Sequence, residues 1–453
     1  MLIFGNKACR KMLGKSPQQH QKDLFSPLLL DFIDQKHELV LLANRIDWKH
    51  FENTFSSLYS RTGQPAMPIR LMVGCLLLKR LYNLGDETLA KAWVMNPYMQ
   101  YFCGQAHFQH RFPCDPSDFV HFRKRIGEEG VELLFQYSVS LHGPQSGKME
   151  VSDSTVQENN VTFPTDSKLA KKVIEKCNGL AKHYGLSQRQ RYTRTSKELL
   201  RATYNFNHPK RKKKARAAAR KLKTIAGRLL RELERGLSAD ALARHAGELG
   251  LFRQALSQER LTKNKIYSLH KPFTTCIAKG KAHKQYEFGN KIGLVLNPKT
   301  KVITAIEAFE GNPHDSNTLE PLLKQMQKLH GKLPGEIVYD RGGKGKPEIM
   351  GVKISTPGKP LKKDSAYQKQ LKRRKFRLRA GIEPVIGHLK TDFRMAQNYL
   401  SGSKLPKINA MLAATGWNLK KLMQKLKEDV TAAYFFLCRL LSLRLVDLVM
   451  RAC

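Results

Sequence analysis

Three carboxylates at widely separated positions could form a site for phosphodiester chemistry. Asp153 follows the alternating segment KMEVS and Asp340 follows the apolar run EIVY, so we expect each aspartate at the C-terminal end of a strand. Glu383 lies in RAGIEPVIGHLKTDFR, a helix-forming segment. Two such aspartates and a helical glutamate can bind two Mg²⁺ ions about 4 Å apart, which serve the attacking and leaving oxygens. We predict all three as catalytic metal ligands, with Mn²⁺ able to replace Mg²⁺ because both prefer oxygen donors.

Two basic residues flank Glu383 at helical spacing. If residues 379–390 form one helix, Glu383 and Lys390 lie about 40° and 20° from Arg379 around its axis. Arg379 and Lys390 would then bind phosphate oxygens of DNA while Glu383 binds metal. Pro384 is comfortable only in the first turn of a helix. The alternative is therefore that Arg379 lies on the preceding loop.

The segments that must position these carboxylates predict an α/β core with the order β, ββ, α, β, β, α. A short polar turn after Leu296 joins the second and third strands into a hairpin. A helix should begin after GNPHD, with Asp315 or Ser316 as its N-cap. The predicted strands are KMEVSDSTV at 148–156, Tyr286–Leu296, 301–309, 336–340 and 352–356, and a long basic helix follows to about residue 394.

The first 140 residues predict an all-helical domain. Segment 69–82 is strongly apolar, NLGD at 83–86 supplies a turn, and ETLAKAW starts a second helix that stops before Asn96. A helix, a short glycine turn and a helix are compatible with a helix-turn-helix that binds DNA ends. The same pattern is also typical of a plain helical bundle.

Residues 167–285 interrupt the core and predict a basic helical insertion. The segment HPKRKKKARAAARKLK at 208–223 combines helical spacing with a surplus of positive charge. A charge run is often only a solvated face, but here contact with DNA phosphates is the better interpretation. The residues that we assign to DNA binding are Lys210, Arg211, Lys212, Lys213 and Lys214.

Length and charge limit the possible partners. A chain of 453 residues is too long for a single small binding module and predicts two or three domains. Its formal charge of +42 is spread from end to end, so double-stranded DNA is the first partner to expect. Eight cysteines without a Cys-x-x-Cys pair indicate a reduced compartment, and the charges in MLIFGNKACRKMLGK argue against export. We therefore expect a cytoplasmic protein that is associated with the nucleoid through DNA.

The C-terminal segment contains one apolar run. Residues 432–450 are interrupted by Arg439, Arg444 and Asp447, which predicts an amphipathic helix rather than a membrane span.

Two further groups of polar residues each allow two interpretations. His314 and Asp315 could be a base or a metal pair, but a helix cap with a neighbouring imidazole is favoured. Cys103, His107, His110 and Cys114 suggest zinc, although their spacing matches no usual zinc module, and packed thiols with surface histidines are favoured.

The combination of motifs resembles bacterial insertion-sequence transposases of the DDE class, IS-five type. The resemblance depends on DST at 153–155, GNPHD at 311–315, YDRGG at 339–343 and the last block, with further likeness at 68–104 and 408–422. That family's last block reads Tyr-x2-Arg-x3-Glu-x6-Lys, and this chain has Phe376, Arg379, Glu383 and Lys390. Phe376 replaces the tyrosine, so the phenol and any hydrogen bond that it makes are absent.

The resemblance implies a ribonuclease-H-like core with a mixed sheet, cleavage at transposon ends and transfer of the cut strands into target DNA. We also expect a homodimer in the DNA complex and no contact with a membrane. The domains that follow are a helical N-terminal domain (1–140), the first part of the core (146–166), the basic insertion (167–285), the rest of the core (286–398) and C-terminal helices (399–453).

Two other functions remain open from the sequence. A nuclease or resolvase with the same core would cut DNA without joining it, and a transposase-derived DNA-binding protein with a dead site would do neither. The intact carboxylates argue against a dead site, and the helical N-terminal domain and insertion argue against a minimal nuclease.

Overall fold

The structure of this chain is a computed structural model. The amphipathic character predicted for residues 432–450 depends on side chains that lie largely outside the described part of the structure. Two further predictions concern residues outside the described part of the structure. They are the argument against export, which rests on the N-terminal segment, and the part of the YDRGG motif at Arg341–Gly343. The described residues are 27–59, 66–144, 148–204, 206, 208–259, 262–278, 284–340, 346–356, 358, 360–400, 402 and 404–452.

The N-terminal region is helical, as predicted. Its central helix, α4, is buried at every residue except Arg70, because the segment is apolar on all sides. Asp86 opens the next helix and forms ion pairs with Lys79 at 2.5 Å and Arg123 at 2.9 Å. The helices in the described part of this region are α1 (Leu29–Phe32), α2 (Glu38–Arg45), α3 (Trp48–Phe55), α4 (Ile69–Leu81), α5 (Asp86–Met95), α6 (Pro97–Phe102) and α7 (Asp118–Ser140).

The predicted pair of helices with a glycine turn is α4 and α5. The first turn of α5, which would contact bases in a helix-turn-helix, carries the acidic residues Asp86 and Glu87. Acidic side chains repel DNA phosphates, and Asp86 is already engaged in the two ion pairs. These contacts favour the helical-bundle interpretation of α4 and α5.

The core is one mixed sheet. Strand β1 (Met149–Asn159) pairs antiparallel with β3 (Tyr286–Leu296) and parallel with β5 (Glu336–Val338). The strand order is β2, β3, β1, β5, β7, β6, with β4 also on β3 and β8 also on β1. The remaining described strands are β2 (Thr275–Ala278), β4 (Ile303–Phe309), β6 (Glu348–Ile349), β7 (Val352–Ser355) and β8 (Gln397–Asn398). The predicted α/β core and its β3–β4 hairpin are confirmed.

Two predicted element ends are wrong. Asp153 lies in the middle of β1 rather than at its end, because β3 continues to pair with β1 as far as Glu158. The helix after GNPHD starts later than expected: a short 3₁₀ helix occupies Asp315–Asn317, and α12 (Leu319–His330) begins after Thr318. Asp315 caps neither helix, because its carboxylate forms an ion pair with Lys291 at 2.5 Å.

The basic insertion is helical and has a hydrophobic core of its own. That core brings together apolar residues of three helices, including Val173, Leu229 and Phe252. The 28-residue α10 begins at Pro209, a residue that fits the first turn of a helix. The helices are α8 (Asp166–His183), α9 (Thr193–Ala202), α10 (Pro209–Gly236) and α11 (Ala239–Ser257).

Helix α15 (Leu405–Ala452) joins the N-terminal helices to the sheet. Lys407 forms ion pairs with Glu128 of α7 and Glu307 of β4, both at 2.9 Å. Asn418, which is fully buried, accepts a hydrogen bond from the backbone N–H of Ile303 and donates one to the carbonyl of the same residue. The C-terminal helices predicted for 399–453 are one continuous helix in the structure, and its early turns are part of the core.

Within the described residues, the structure contains no helix that is long and apolar enough to cross a membrane.

Replacing Asn418 with Ala should lower the free energy of unfolding by about 1–3 kcal/mol. The change leaves the N–H and carbonyl of Ile303 buried without their partner, and water cannot easily replace it. Chemical denaturation of the full-length protein measures the loss.

The matched control is Lys425→Ala, an exposed position on the same helix. An equal loss in both variants would mean that the buried amide of Asn418 is not the cause of the effect.

Candidate active site

The sheet places two of the predicted carboxylates side by side. Val151 of β1 pairs with Val338 of β5 in parallel register. Asp153 follows Val151 by two residues, and Asp340 follows Val338 by two residues. The two aspartates therefore lie side by side. The side chain of Asp153 is 14% exposed and that of Asp340 is 48% exposed, so one carboxylate lies inside the sheet and the other at its rim.

The third carboxylate comes from a helix that follows the basic segment. Helix α13 (Ala366–Ala380) is capped by Ser365 and Gln368 and ends just before Gly381. Helix α14 (Glu383–Thr391) starts two residues later, with Pro384 in its first turn. The prediction for Pro384 is confirmed, whereas the hypothesis of one helix over 379–390 is wrong. Arg379 lies in the last turn of α13, so its placement on a loop is also wrong.

One guanidinium contacts all three carboxylates. Arg379 Nη2 lies 3.2 Å from Asp153 Oδ2 and 3.5 Å from Asp340 Oδ2, and Nη1 donates to Glu383 Oε1 at 2.9 Å. Nε of Arg379 is buried and has no hydrogen-bond partner among the described residues. The structure thus brings the predicted acids together, and it gives Arg379 a role that the sequence did not reveal. Instead of pointing towards a phosphate, Arg379 is the counter-ion of the acids.

Burial is the main influence on the titration of Asp153. It raises the pKa of this carboxyl above its usual value, while the backbone N–H of Ser154 and the charge of Arg379 lower it in part. The neighbouring Asp340 and Glu383 raise the pKa further, since like charges oppose ionisation. The ionised form of Asp153 therefore depends on a nearby cation.

Lys390 lies on the same helix as Glu383, seven residues later. This spacing returns to nearly the same face of the helix about 10 Å along the axis. Lys390 is half-buried. It shares the short helix α14 with Glu383.

A second polar group, which was not predicted from the sequence, contacts β1 through Ser154, on the face opposite to Asp153. Ser154 donates to Asp315 Oδ1 at 3.0 Å, and Asp315 also pairs with Lys291. Burial would raise the pKa of Asp315, but these two contacts outweigh it and lower the pKa. His314 Nδ1 accepts a hydrogen bond from the N–H of Ser316, so His314 itself caps the short 3₁₀ helix, a position that we predicted for Asp315 or Ser316. The spacing within GNPHD could not indicate Lys291 as a partner, because Lys291 lies on the earlier strand β3.

The acids have the donor atoms that Mg²⁺ requires. Oxygens of Asp153 and Asp340 converge on one nitrogen of Arg379, and a divalent ion would compete with the guanidinium for that position. As the described residues stand, no three Asp, Glu, His or Cys side chains lie close enough together to hold a metal ion. A metal ion bound by these oxygens would take the position that the Arg379 guanidinium occupies here.

The zinc alternative finds no support in the described residues. Cys103 is buried against Cys75, with their sulfur atoms 3.6 Å apart. His107 Nδ1 instead lies 3.3 Å from the carbonyl of Pro27. The packing interpretation of these cysteines and histidines is thus favoured, in line with the sequence.

The basic segment of the insertion forms the start of α10. The side chains of Lys210, Arg211, Lys212, Lys213 and Lys214 are all exposed, and the helix first packs against its neighbours at Ala215. Among the described residues, none of the five forms an ion pair with a carboxylate. Cations also interact unfavourably with the positive end of a helix dipole. The five neighbouring cations also repel one another. A bound polyanion would offset this repulsion as well as the unfavourable interaction with the helix dipole.

Two protein families match parts of this chain. Residues 27–125 match the Transposase domain (DUF772) family, and residues 268–419 match the Transposase DDE domain family. The second match contains Asp340, Arg379 and Glu383, whereas Asp153 lies before it.

One curated protein is similar to this chain at the level of sequence. It is described as "Uncharacterized protein ORF8 in nfe locus" from Rhizobium meliloti and is 37% identical over 203 residues, which cover 44% of this chain and 98% of the relative. No solved structure matches this chain.

Replacing Arg379 with Gln should destabilise the protein at neutral pH by about 1–3 kcal/mol, because three carboxylates lose their shared counter-ion. The pKa of Asp153 should rise further. Since a protonated carboxyl needs no counter-ion, the stability deficit should shrink as the pH falls. Added Mg²⁺ should raise the melting temperature of the variant more than that of the wild type, because the competing cation is gone.

Thermal unfolding with Mg²⁺ or with a chelator, at neutral and mildly acidic pH, measures these effects. The control is Arg377→Gln, since Arg377 lies on the same helix and has no carboxylate partner among the described residues. If Mg²⁺ stabilises both variants equally, the acids around Arg379 are not the metal site.

Proposed function

Because the chain belongs to the insertion-sequence transposases that carry a DDE domain, we propose that it cuts DNA at the terminal inverted repeats of its element and joins the freed 3′-hydroxyl ends to target DNA. We further propose that it is of the IS-five type and that its sheet is a ribonuclease-H-like core. The observation that carries this proposal is the meeting of Asp153, Asp340 and Glu383 around one guanidinium. Without a shared cation, such a cluster would be strongly unfavourable.

The three acids would hold divalent metal ions, Mg²⁺ or Mn²⁺, by their carboxylate oxygens. Metal ions bound there would activate an attacking hydroxyl and stabilise the leaving oxygen of a phosphodiester. Asp153 holds its position through the paired strand β1, whereas Glu383 lies at the start of a short helix. Asp153 and Asp340 thereby fix the site relative to the sheet, and Glu383 completes it from the helical side.

Arg379 would change partners when DNA and metal arrive. In the free protein its guanidinium neutralises the acids, and a bound phosphate offers the same bidentate geometry to its two terminal nitrogens. Lys390 would add a second positive charge near the phosphates. Cations beside the acids matter most when two DNA molecules must occupy one site, as strand transfer requires.

Binding of double-stranded DNA would depend on the charge of the whole chain. The exposed start of α10 is the strongest local source, and the formal charge of +42 supports contact over a wide surface. We propose a homodimer in the DNA complex, because two element ends must be processed together.

Substituting any one of the three acids, as Asp153→Asn, Asp340→Asn or Glu383→Gln, should lower both cleavage and joining by orders of magnitude. Each change removes a metal ligand, while DNA binding should persist or become tighter because negative charge is lost. The assay incubates full-length protein and Mg²⁺ with a labelled duplex that carries the ends of the element.

Glu348→Gln is the control, because Glu348 is an exposed acid on the same sheet. Normal cleavage by Asp340→Asn would refute the assignment. Cut but unjoined products from the wild type would indicate a nuclease, and no product with either metal would indicate a dead site.

Replacing Lys210, Lys212, Lys213 and Lys214 with Gln should weaken DNA binding and reduce its salt dependence. Each lost phosphate contact lowers the slope of log K against log salt by about 0.9. Sequence preference should barely change, since phosphate contacts position a protein without reading bases. Binding titrations over a range of salt concentrations measure the slope.

The matched control replaces four lysines that already pair with carboxylates: Lys171, Lys176, Lys324 and Lys328. If both sets change the slope equally, the start of α10 is only a solvated surface.

A further inference from the structure

The C-terminal end of helix α14 is bound by a residue of the N-terminal helical region. An α-helix leaves its last four backbone carbonyls without partners inside the helix. In α14 the carbonyls of residues 388–390 accept hydrogen bonds from backbone N–H groups of the segment that follows the helix. The carbonyl of Thr391 instead accepts a hydrogen bond of 2.8 Å from the side-chain amide of Asn83, which lies 308 positions earlier in the chain. A distant part of the sequence thus completes the end of this helix.

Asn83 contacts the end of α14 in two ways. Besides its bond to Thr391, its own carbonyl accepts a hydrogen bond of 3.1 Å from Arg394 Nη1. The backbone of Asn83 has a φ of 54°, in the left-handed region that asparagine adopts more readily than most residues. The NLGD turn, which the sequence indicated only as a link between two helices, is therefore also a contact with the helix that carries Glu383.

Arg80, near the end of α4, binds the same segment. Its Nη1 donates to the carbonyl of Phe393 at 3.4 Å, and its Nη2 donates to Asn409 Oδ1 of α15 at 2.8 Å. Asn409 Nδ2 in turn donates to the carbonyl of Arg394 at 3.2 Å. Arg80, Asn83 and Asn409 thus each bind one carbonyl at or just after the end of α14. We refer to these three residues as the α14 clamp.

Arg80 is unfavourable to bury. It is 3% exposed, and burial, together with the nearby charges of Arg123 and Arg394, lowers its pKa to about 9. Its Nε has no hydrogen-bond partner among the described residues. An apolar side chain of similar volume would fill the same space without these costs. Packing alone therefore does not explain a guanidinium at this position of α4, whereas its two acceptors do.

Helix α15 holds the clamped segment from the other side. A Cβ atom at Gly416 would lie 2.8 Å from Cβ of Arg80 and 3.0 Å from a ring atom of Phe393, which is closer than normal van der Waals contact. The ring of Trp417 also packs edge-on against Phe393, with the ring centroids 5.9 Å apart. The segment that follows α14 therefore lies between α4 and α15.

The clamp affects the active site because Glu383 is the first residue of α14. This helix has nine residues, and an isolated helix of that length is marginal in water. Its buried residues Val385 and Leu389 hold one face, and the clamp holds its far end, about 12 Å from Glu383 along the axis. The sheet positions Asp153 and Asp340, but it does not position the third acid. The location of Glu383 relative to the two aspartates therefore depends on how α14 is held.

We propose that Arg80 and Asn83 are positioning residues for Glu383. By fixing the C-terminal end of α14, they set the distance between the third carboxylate and the two aspartates, although neither residue touches the acids. This inference rests on the proposed function, because it takes Glu383 as a metal ligand. It also gives the N-terminal helical region a part in the active site that does not depend on contact with DNA.

Two substitutions remove contacts of the clamp. Asn83→Gly removes the amide and leaves a residue that adopts the left-handed backbone readily, so the fold should stay intact. Arg80→Lys keeps a positive charge, but one ammonium group cannot reproduce the fork that reaches both acceptors. The matched control is Asn264→Gly, because Asn264 has the same φ of 54° and lies exposed in the basic insertion.

Amide hydrogen exchange of the full-length protein, without metal or DNA, measures the effect on the helix itself. Loss of a hydrogen bond should make local opening more frequent, so the amides of α14 should exchange roughly 2- to 10-fold faster in Asn83→Gly and Arg80→Lys. Exchange in β1 should stay as in the wild type. The control Asn264→Gly should leave exchange in α14 unchanged.

Cleavage under single-turnover conditions measures the effect on the site. The substrate is the labelled duplex that carries the end of the element, and the Mg²⁺ concentration is varied. Asn83→Gly and Arg80→Lys should need roughly 2- to 10-fold more Mg²⁺ for half of the maximal rate, because a displaced Glu383 is a weaker ligand. The dissociation constant for the same duplex, measured with Ca²⁺ in place of Mg²⁺, should change less than twofold. A general loss of folded protein would instead lower DNA binding and cleavage at every Mg²⁺ concentration.

Unchanged exchange of α14 in Asn83→Gly would overturn the clamp. Faster exchange together with a wild-type Mg²⁺ requirement would overturn the positioning role, as would equal effects of Asn83→Gly and Asn264→Gly. If exchange changes as expected but the wild type cuts no DNA with Mg²⁺ or Mn²⁺, the proposed function fails and the clamp on α14 remains.

Discussion

Repulsion between carboxylates is the constraint on which the candidate active site depends. Three acids meet near the end of β5, and one of them is largely buried. Ionised carboxylates at such close range cannot coexist without a cation, and in the free protein the cation is Arg379. The same requirement would later be met by metal ions. The path of α13, which delivers Arg379 to the sheet, is therefore as important to the site as the strands that carry the aspartates.

The surrounding structure keeps the strands in place. Strand β1 is paired on both edges, and Ser154, Asp315 and Lys291 form a second ionic group on its other side. Helix α15 then fastens the hairpin of β3 and β4 to the N-terminal helices through Asn418 and Lys407. The helical N-terminal region thus contributes to the stability of the sheet, whatever part it takes in binding DNA.

Much of this arrangement could be predicted from the sequence because it depends on local patterns. Alternating residues identified β1, and the apolar run at 69–82 identified α4. The position of Asp153 within β1 could not be predicted, because the length of a strand is decided by its partner, here β3. The contacts of Arg379 could not be predicted either, because the spacing of residues along a helix does not show which strands the helix packs against. The break at Gly381 was signalled only by Pro384, which left two placements of Arg379 open.

The absence of buried residues from α13 has a consequence for the dynamics of the site. Opening β1 would break pairing on both edges and should require nearly the free energy of global unfolding. Helix α13 has no buried residue and is held to the sheet by the ion pairs of Lys375 and Arg379, so we expect it to shift at a lower cost. The strand that carries Asp153 would then stay in place while α13 and the guanidinium of Arg379 move. Amide hydrogen exchange would reveal this difference as slow exchange in β1 and fast exchange in α13. Replacement of the Arg379 guanidinium by a metal ion would thus be a local change that leaves the hydrophobic core intact.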